Sequence, residues 1–181
     1  MRMHVNKTKA LAVLGVMAAL STVLTVLGTV ISVNTLFFTA AAAFLVGVAV
    51  CFYGMGYGTI FFFVCLLLDF FINPNKLHVL LYLGLAGYIL LSEGSFLLLD
   101  RMTDDRKKAW LHRGIRFLIF AVIYVPFVFF FPQLFLSDSL LAKRWIVMVM
   151  LPAGIFAWLV YDLAYFIVKK ISHERFGKML S

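Results

Sequence analysis

The strongest constraint in this 181-residue chain is the rhythm of its punctuation. Apolar stretches follow one another with only short polar clusters between them, and about 20 such residues are what an α-helix needs to cross a hydrocarbon core of about 30 Å. Composition agrees: 64% of the residues are apolar and 13% charged, where a soluble domain holds about 45–50% and about 25%. So much apolar side chain excludes disorder, and two cysteines exclude a disulfide scaffold. The pattern predicts an all-α, polytopic membrane protein whose solvent is largely lipid.

Reading from one polar cluster to the next gives six transmembrane helices in a single domain over 1–181, at about 10–31, 35–52, 57–72, 77–99, 114–131 and 145–168. The first closes at Ser32-Val33-Asn34 and the third at Asn73-Pro74-Asn75-Lys76. The fourth stops at the charged stretch Asp100 to Arg113, read as the longest hydrophilic loop, and the fifth breaks at Pro132. Between the second and third runs there is only the glycine cluster Gly54, Gly56 and Gly58, which predicts a tight helical hairpin.

The cations orient this arrangement, because Lys and Arg in short loops stay on the cytoplasmic side. Six spans place both termini and the loops after the second and fourth spans on one side. Thirteen basic residues fall there: Arg2, Lys7 and Lys9, the cluster from Arg101 to Arg116, and Lys169, Lys170, Arg175 and Lys178. Only Lys76, Lys143 and Arg144 fall opposite. Both termini are therefore expected to be cytoplasmic in a multi-pass protein of the cell membrane. The net charge of +8 is thus a topology signal and not the footprint of a nucleic-acid partner, which would need the charges along one solvated face. The basic start Arg2–Lys9 and the run behind it are expected to be a retained first span, since that run is too long for a typical signal-peptide core.

Chemistry-bearing motifs are scarce. No HExxH, CxxC, GxGxxG or Walker-type loop occurs, so metalloprotease, redox and nucleotide-driven activities lack their residues. Ser92-Glu93-Gly94-Ser95 lacks a nearby histidine, His78 lying about four helical turns away on the same predicted helix. No enzyme activity, cofactor or metal site is expected. Cys51 and Cys65 read as small apolar residues inside spans.

Charged groups within spans are costly, about 2.5–3.5 kcal/mol on insertion scales, so each needs a partner or a task. Glu93, Arg116 and Asp162 fall at similar depth on the cytoplasmic side of the fourth, fifth and sixth spans and are candidates for an intramembrane ion-paired cluster, either structural or coupling. On the outer side Asp69, Asn73, Asn75, Lys76 and His78 gather around Pro74, with Asn34 able to join them. Pro74 interrupts the helix and frees backbone carbonyls, and irregular backbone at membrane depth is tolerated where it lines protein or water. That corner is either a small-ligand site or an ordinary hairpin turn in which Lys76 snorkels to the headgroups. Small residues at helical spacing, among them Gly15 and Ala19, Ala40–Ala43 with Gly47, and Gly54 with Gly58, allow helices to approach closely within the bundle or toward a partner.

These features together resemble the substrate-binding S components of energy-coupling factor (ECF) transporters. The resemblance is carried by the basic flank and Ala-rich helix from Lys7 to Leu20, the small-rich Ala40–Tyr57 hairpin, the polar turn before the fourth span, and Leu151-Pro152-Ala153-Gly154 opening a last helix that ends in basic residues. It implies a six-helix subunit that captures a small, vitamin-like molecule at its outer face. It further implies a transmembrane coupling subunit packed on the first helix, where Gly15 and Ala19 match the family's small-xxx-small pattern, and a separate ATPase pair supplying energy. A shorter stretch, Leu66 to Phe71 with Asp69 followed by Leu80 to Tyr88 with Gly84 and Gly87, is similar to the rod-shape-determining MreD family and implies a scaffold of the cell-wall machinery. The S-component reading is preferred, with the scaffold or an unassigned small transporter as the alternative.

Overall fold

The computed structural model describes the backbone of residues 7–31, 34–99, 105–130 and 145–179, and the side chains of these except 105–109, 145–151 and 173–179. The described residues are helical, without a strand. Among the described residues six helices follow in order: α1 (Lys7–Val30), α2 (Thr35–Tyr53), α3 (Met55–Ile72), α4 (Lys76–Leu99), α5 (Asp105–Phe130) and α6 (Trp145–Met179). Among the described residues five stretches are long and apolar enough to cross a membrane: α1, α2, α3, α4 and the Trp110–Phe130 part of α5.

Their side chains are distributed as lipid requires. Phe71 is 78% exposed and Phe130 77%, whereas Asp69 and Asn73 are each 1% exposed. Among large residues such an apolar outside around a polar inside inverts the arrangement that water imposes.

The helices fall into two compact units, Met1–Lys108 and Ala109–Ser181. In the first, α2 packs against α1, α3 and α4, and α3 also touches α1 and α4. Its core is built from small residues, with Ala42, Ala43, Val46 and Ala49 of α2 fully buried. The turn from α2 into α3 is the single residue Gly54, at φ +89° and ψ 170°, a backbone region open essentially to glycine. Its N–H reaches the Val50 carbonyl at 2.9 Å, and its own carbonyl accepts the Gly58 N–H at 3.0 Å, so α3 starts where α2 ends. Gly58 then lets α3 approach α2 with nothing but hydrogen between them: a Cβ added there would meet the Val50 side chain and lie 3.1 Å from its Cα. The tight hairpin expected from the glycine cluster is thus a one-residue connection.

In the second unit, α5 and α6 meet through aromatic side chains. Phe120 stacks on Tyr124 at 4.9 Å and on Trp158 at 5.7 Å, and Phe117 meets Trp158 edge-on at 5.5 Å. Gly154 is buried beneath the Tyr124 ring. Pro126 and Pro152 lie inside their helices and do not end them.

Expected and observed ends agree within three residues for α1 through α4. Two differ. The stretch Asp100–Arg113, expected as a loop, is helical from Asp105 onward, and α6 continues eleven residues past Val168 to Met179. Both extensions are rich in Lys and Arg, which are good helix formers in water, so the change from apolar to basic sequence does not end the helix. The break at Pro132 and the cations Arg2, Lys143 and Arg144 lie outside the described residues.

Candidate functional site

One end of the first unit gathers a set of buried polar groups, separate from Ser92, Glu93 and Ser95 near the other end of α4. The C-terminal half of α1 carries Ser21, Thr22, Thr25 and Thr29, the last turns of α3 carry Cys65, Asp69 and Asn73, and Tyr82 comes from α4. Positions 22, 25 and 29, like 65, 69 and 73, follow the three-and-four spacing that keeps residues on one helix face. Ser21, Cys65 and Tyr82 are fully buried, Thr25 is 3% exposed, and Asp69 and Asn73 are 1% exposed.

The two faces are joined by hydroxyls. Thr25 Oγ1 lies 2.5 Å from Asp69 Oδ1 and 2.9 Å from the Thr22 carbonyl oxygen. One turn on, Thr29 Oγ1 lies 2.9 Å from Asn73 Oδ1 and 3.0 Å from the Thr25 carbonyl. The Asn75 N–H also donates to Asn73 Oδ1, at 3.3 Å. That bond fixes the amide's orientation, because turning it over would set two donors against each other.

Several buried polar atoms are left without a partner: Asp69 Oδ2, Asn73 Nδ2, Ser21 Oγ and the Tyr82 hydroxyl. Ser21 and Tyr82 both lie beside Cys65, and the Tyr82 ring stacks on Phe62 at 6.5 Å. Native interiors leave few such groups unsatisfied, since each costs about 1–3 kcal/mol. These four share one end of the first unit; Ser92 Oγ in α4 and Arg116 Nε in the second unit are further examples elsewhere. Asn73 Nδ2 is a donor and Asp69 Oδ2 an acceptor, four residues apart on one helix face.

Around this interior the turn between α3 and α4 is held by its own side chains. Asn75 Oδ1 accepts the Leu77 N–H at 3.1 Å, the bond a helix N-cap makes. Lys76 Nζ donates to the Phe70 carbonyl and, at 3.1 Å, to the Asn73 carbonyl, closing the end of α3, and sits 4.6 Å above the Phe70 ring. No carboxylate pairs with Lys76 among the described residues.

The candidate residues of the outer corner therefore separate. Asp69 and Asn73 are buried with atoms free, Asn75 and Lys76 are exposed and bond the turn, and Asn34 is exposed at the start of α2. His78 is half-buried, and its Nδ1 lacks a partner. Gly15 and Ala19 are both exposed on α1, and nothing lies within 4 Å of the Cβ position at Gly15. Of the other cluster, Glu93 is buried in α4 of the first unit, while Arg116 and Asp162 form an ion pair within the second, their side chains 15% and 24% exposed.

The threonines of α1 are part of the site and were not foreseen, although their spacing is a readable polar stripe in an otherwise apolar helix. Among the described residues no group of three His, Cys, Asp or Glu side chains comes together as a metal site. The chain matches no family model, no curated protein and no solved structure.

Proposed function

We propose that this protein is a six-span subunit of the cell membrane, with both termini cytoplasmic, that captures a small polar molecule at the outer end of its first four helices. The observation that carries this reading is the pair of unpartnered, nine-tenths-buried atoms Asn73 Nδ2 and Asp69 Oδ2. A donor and an acceptor held one helical turn apart match a solute with a carbonyl oxygen near an N–H or O–H, as vitamin-like heterocycles have. In a low-dielectric interior such a solute regains what those groups lose by leaving water. The resemblance to ECF S components supports the same reading and supplies the energetics: a coupling subunit against the exposed Gly15–Ala19 face of α1 and a separate ATPase pair, since the chain has no nucleotide motif of its own.

Native mass spectrometry of the protein purified from its own membrane tests this. A retained small molecule is expected, lost in Asp69→Ala and Asn73→Ala but kept when Gly15 and Ala19 are both replaced by Leu, a change expected to abolish uptake alone. A ligand-free protein that copurifies with cell-wall proteins instead would replace this reading with the scaffold.

A further inference from the structure

The contact between Thr25 and Asp69 is short, and an acid proton fills it more fully than an ionised carboxylate does. The Thr25 hydroxyl owns one hydrogen, yet its oxygen is within bonding distance of two acceptors, Thr22 O at 2.9 Å and Asp69 Oδ1 at 2.5 Å. A second hydrogen would satisfy both contacts; Thr29 shares one hydrogen between the Asn73 amide oxygen and the Thr25 carbonyl, so at Thr25 the count points to an acid proton only together with the burial of Asp69 and its lack of a cation. If Asp69 carries it, the acid O–H donates to Thr25 Oγ1 and the threonine's own hydrogen goes to Thr22 O, so every contact is used. If Asp69 is ionised, the threonine turns its hydrogen to Oδ1. Thr22 O then keeps only its intrahelical bond, and Oδ2 is left buried with neither a donor nor a cation.

The surroundings offer no charge to compensate. Asp69 makes no ion pair among the described residues, and Lys76, the nearest cation along the chain, is occupied by the Phe70 and Asn73 carbonyls. The titratable side chains that face Asp69 are Cys65 on its own helix and Tyr82 from α4. His78 and Lys76 stand at the start of α4. The packed helices α1 and α2 contribute none here, since Lys7 and Lys9 lie at the opposite end of α1, and Cys51 and Tyr53 at the opposite end of α2.

We propose that Asp69 is a proton-binding site within the first unit, with Thr25 as the group that accommodates both of its states. Loading adds one proton to the carboxylate and rotates the Thr25 hydrogen from Asp69 Oδ1 to the Thr22 carbonyl. Unloading reverses both moves and returns the proton to water through the Asn73 end. No heavy atom needs to shift, so the site exchanges a proton without unpacking helices whose contacts cannot be loosened cheaply. The site shares Asp69 with the proposed solute pocket but does not rest on that reading, because a proton can be observed with no solute present.

Difference infrared spectroscopy of the full chain in lipid nanodiscs tests it directly. At mildly acidic pH the wild type is expected to show the C=O stretch of a protonated carboxyl that is absent in Asp69→Asn, and raising the pH is expected to convert it reversibly to a carboxylate. Thr25→Val should move that band by removing its acceptor, whereas Thr25→Ser should leave it in place. These two variants keep Asp69 and decide the matter even if Asp69→Asn does not fold. No acid band lost with Asp69 overturns the proposal, as does a band that no pH converts. Replacing choline chloride by sodium chloride should not change thermal stability. A sodium-dependent rise that disappears in Asp69→Asn would instead make the occupant a metal cation and overturn the assignment.

Discussion

The two units hold a carboxylate in an apolar surrounding by opposite means. In the second, Asp162 meets the guanidinium of Arg116, and each keeps some exposure, 24% and 15%. In the first, Asp69 is 1% exposed and faces a threonine hydroxyl with no cation. The helix contacts differ in the same direction. Where α2 and α3 meet, Gly58 brings backbone against Val50, whereas Gly154 in α6 leaves room for the ring of Tyr124. One unit is close-packed and sets Asp69 against hydroxyls; the other is joined by long aromatic and charged side chains. A charged pair tolerates some opening toward water, while a neutral hydrogen-bonded interior does not need it.

The largest test of that contrast is to remove the cation. Arg116→Ala removes the guanidinium that Asp162 faces. Breaking a fully buried pair costs about 3–5 kcal/mol, and the residual exposure here brings the expected loss to about 2–3 kcal/mol, read from unfolding in mixed detergent micelles. Replacing both Arg116 and Asp162 by Met should recover most of it, since apolar residues of similar volume can substitute for an ion pair. If the single change costs nothing, the pair does not hold α5 to α6 and the contrast fails in the second unit.

Next come the glycines. Gly58→Ala forces a methyl against the Val50 side chain and toward a Cα that belongs to another helix, so relief needs α2 and α3 to part. Overpacking of that kind costs about 1–3 kcal/mol. At Gly154 the obstacle is one aromatic side chain, which can turn aside, so Gly154→Ala should cost less, and its cost should vanish when Tyr124→Ala is added. Equal costs at the two positions would mean that both units are packed alike.

How much of this was legible in the sequence follows from the same physics. Glycine and proline clusters mark hard backbone events, so Gly54 and Pro74 located the α2–α3 and α3–α4 turns closely. Charge marks only where hydrocarbon ends. It therefore placed the start of α5 nine residues late and the end of α6 eleven residues early, because Lys- and Arg-rich segments stay helical in water. Asp69 and Asn73 stood out as polar groups in an apolar run, but so did Asn75, which caps a helix, and Lys76, which closes one. Sequence registers polarity and not which backbone group a side chain will satisfy. Thr22, Thr25 and Thr29 were hidden for the converse reason: a threonine can return its hydroxyl to its own helix, as Thr22 does to the Ala18 carbonyl at 3.0 Å, and so passes as apolar in a span.

The smallest expected effect is the most discriminating. Asp69→Asn keeps the shape of the side chain and supplies an N–H that can donate to Thr25 Oγ1 as an acid O–H would, leaving the Thr25 hydrogen for Thr22 O. A neutral carboxyl replaced by an amide therefore keeps its bond, and the change in unfolding free energy should stay within about 1 kcal/mol. The same substitution at Asp162 removes the charge that Arg116 faces and should cost more, because the half-buried guanidinium is then left against a neutral amide. Thr25→Val should fall between them at about 1–2 kcal/mol, since it leaves Asp69 with no bonding partner on either oxygen. The order Asp162→Asn, Thr25→Val, Asp69→Asn is what separates a neutral acid from a charged one. Were Asp69→Asn the most damaging of the three, the carboxylate would be doing its work as an anion, and the two units would hold their acids by the same means after all.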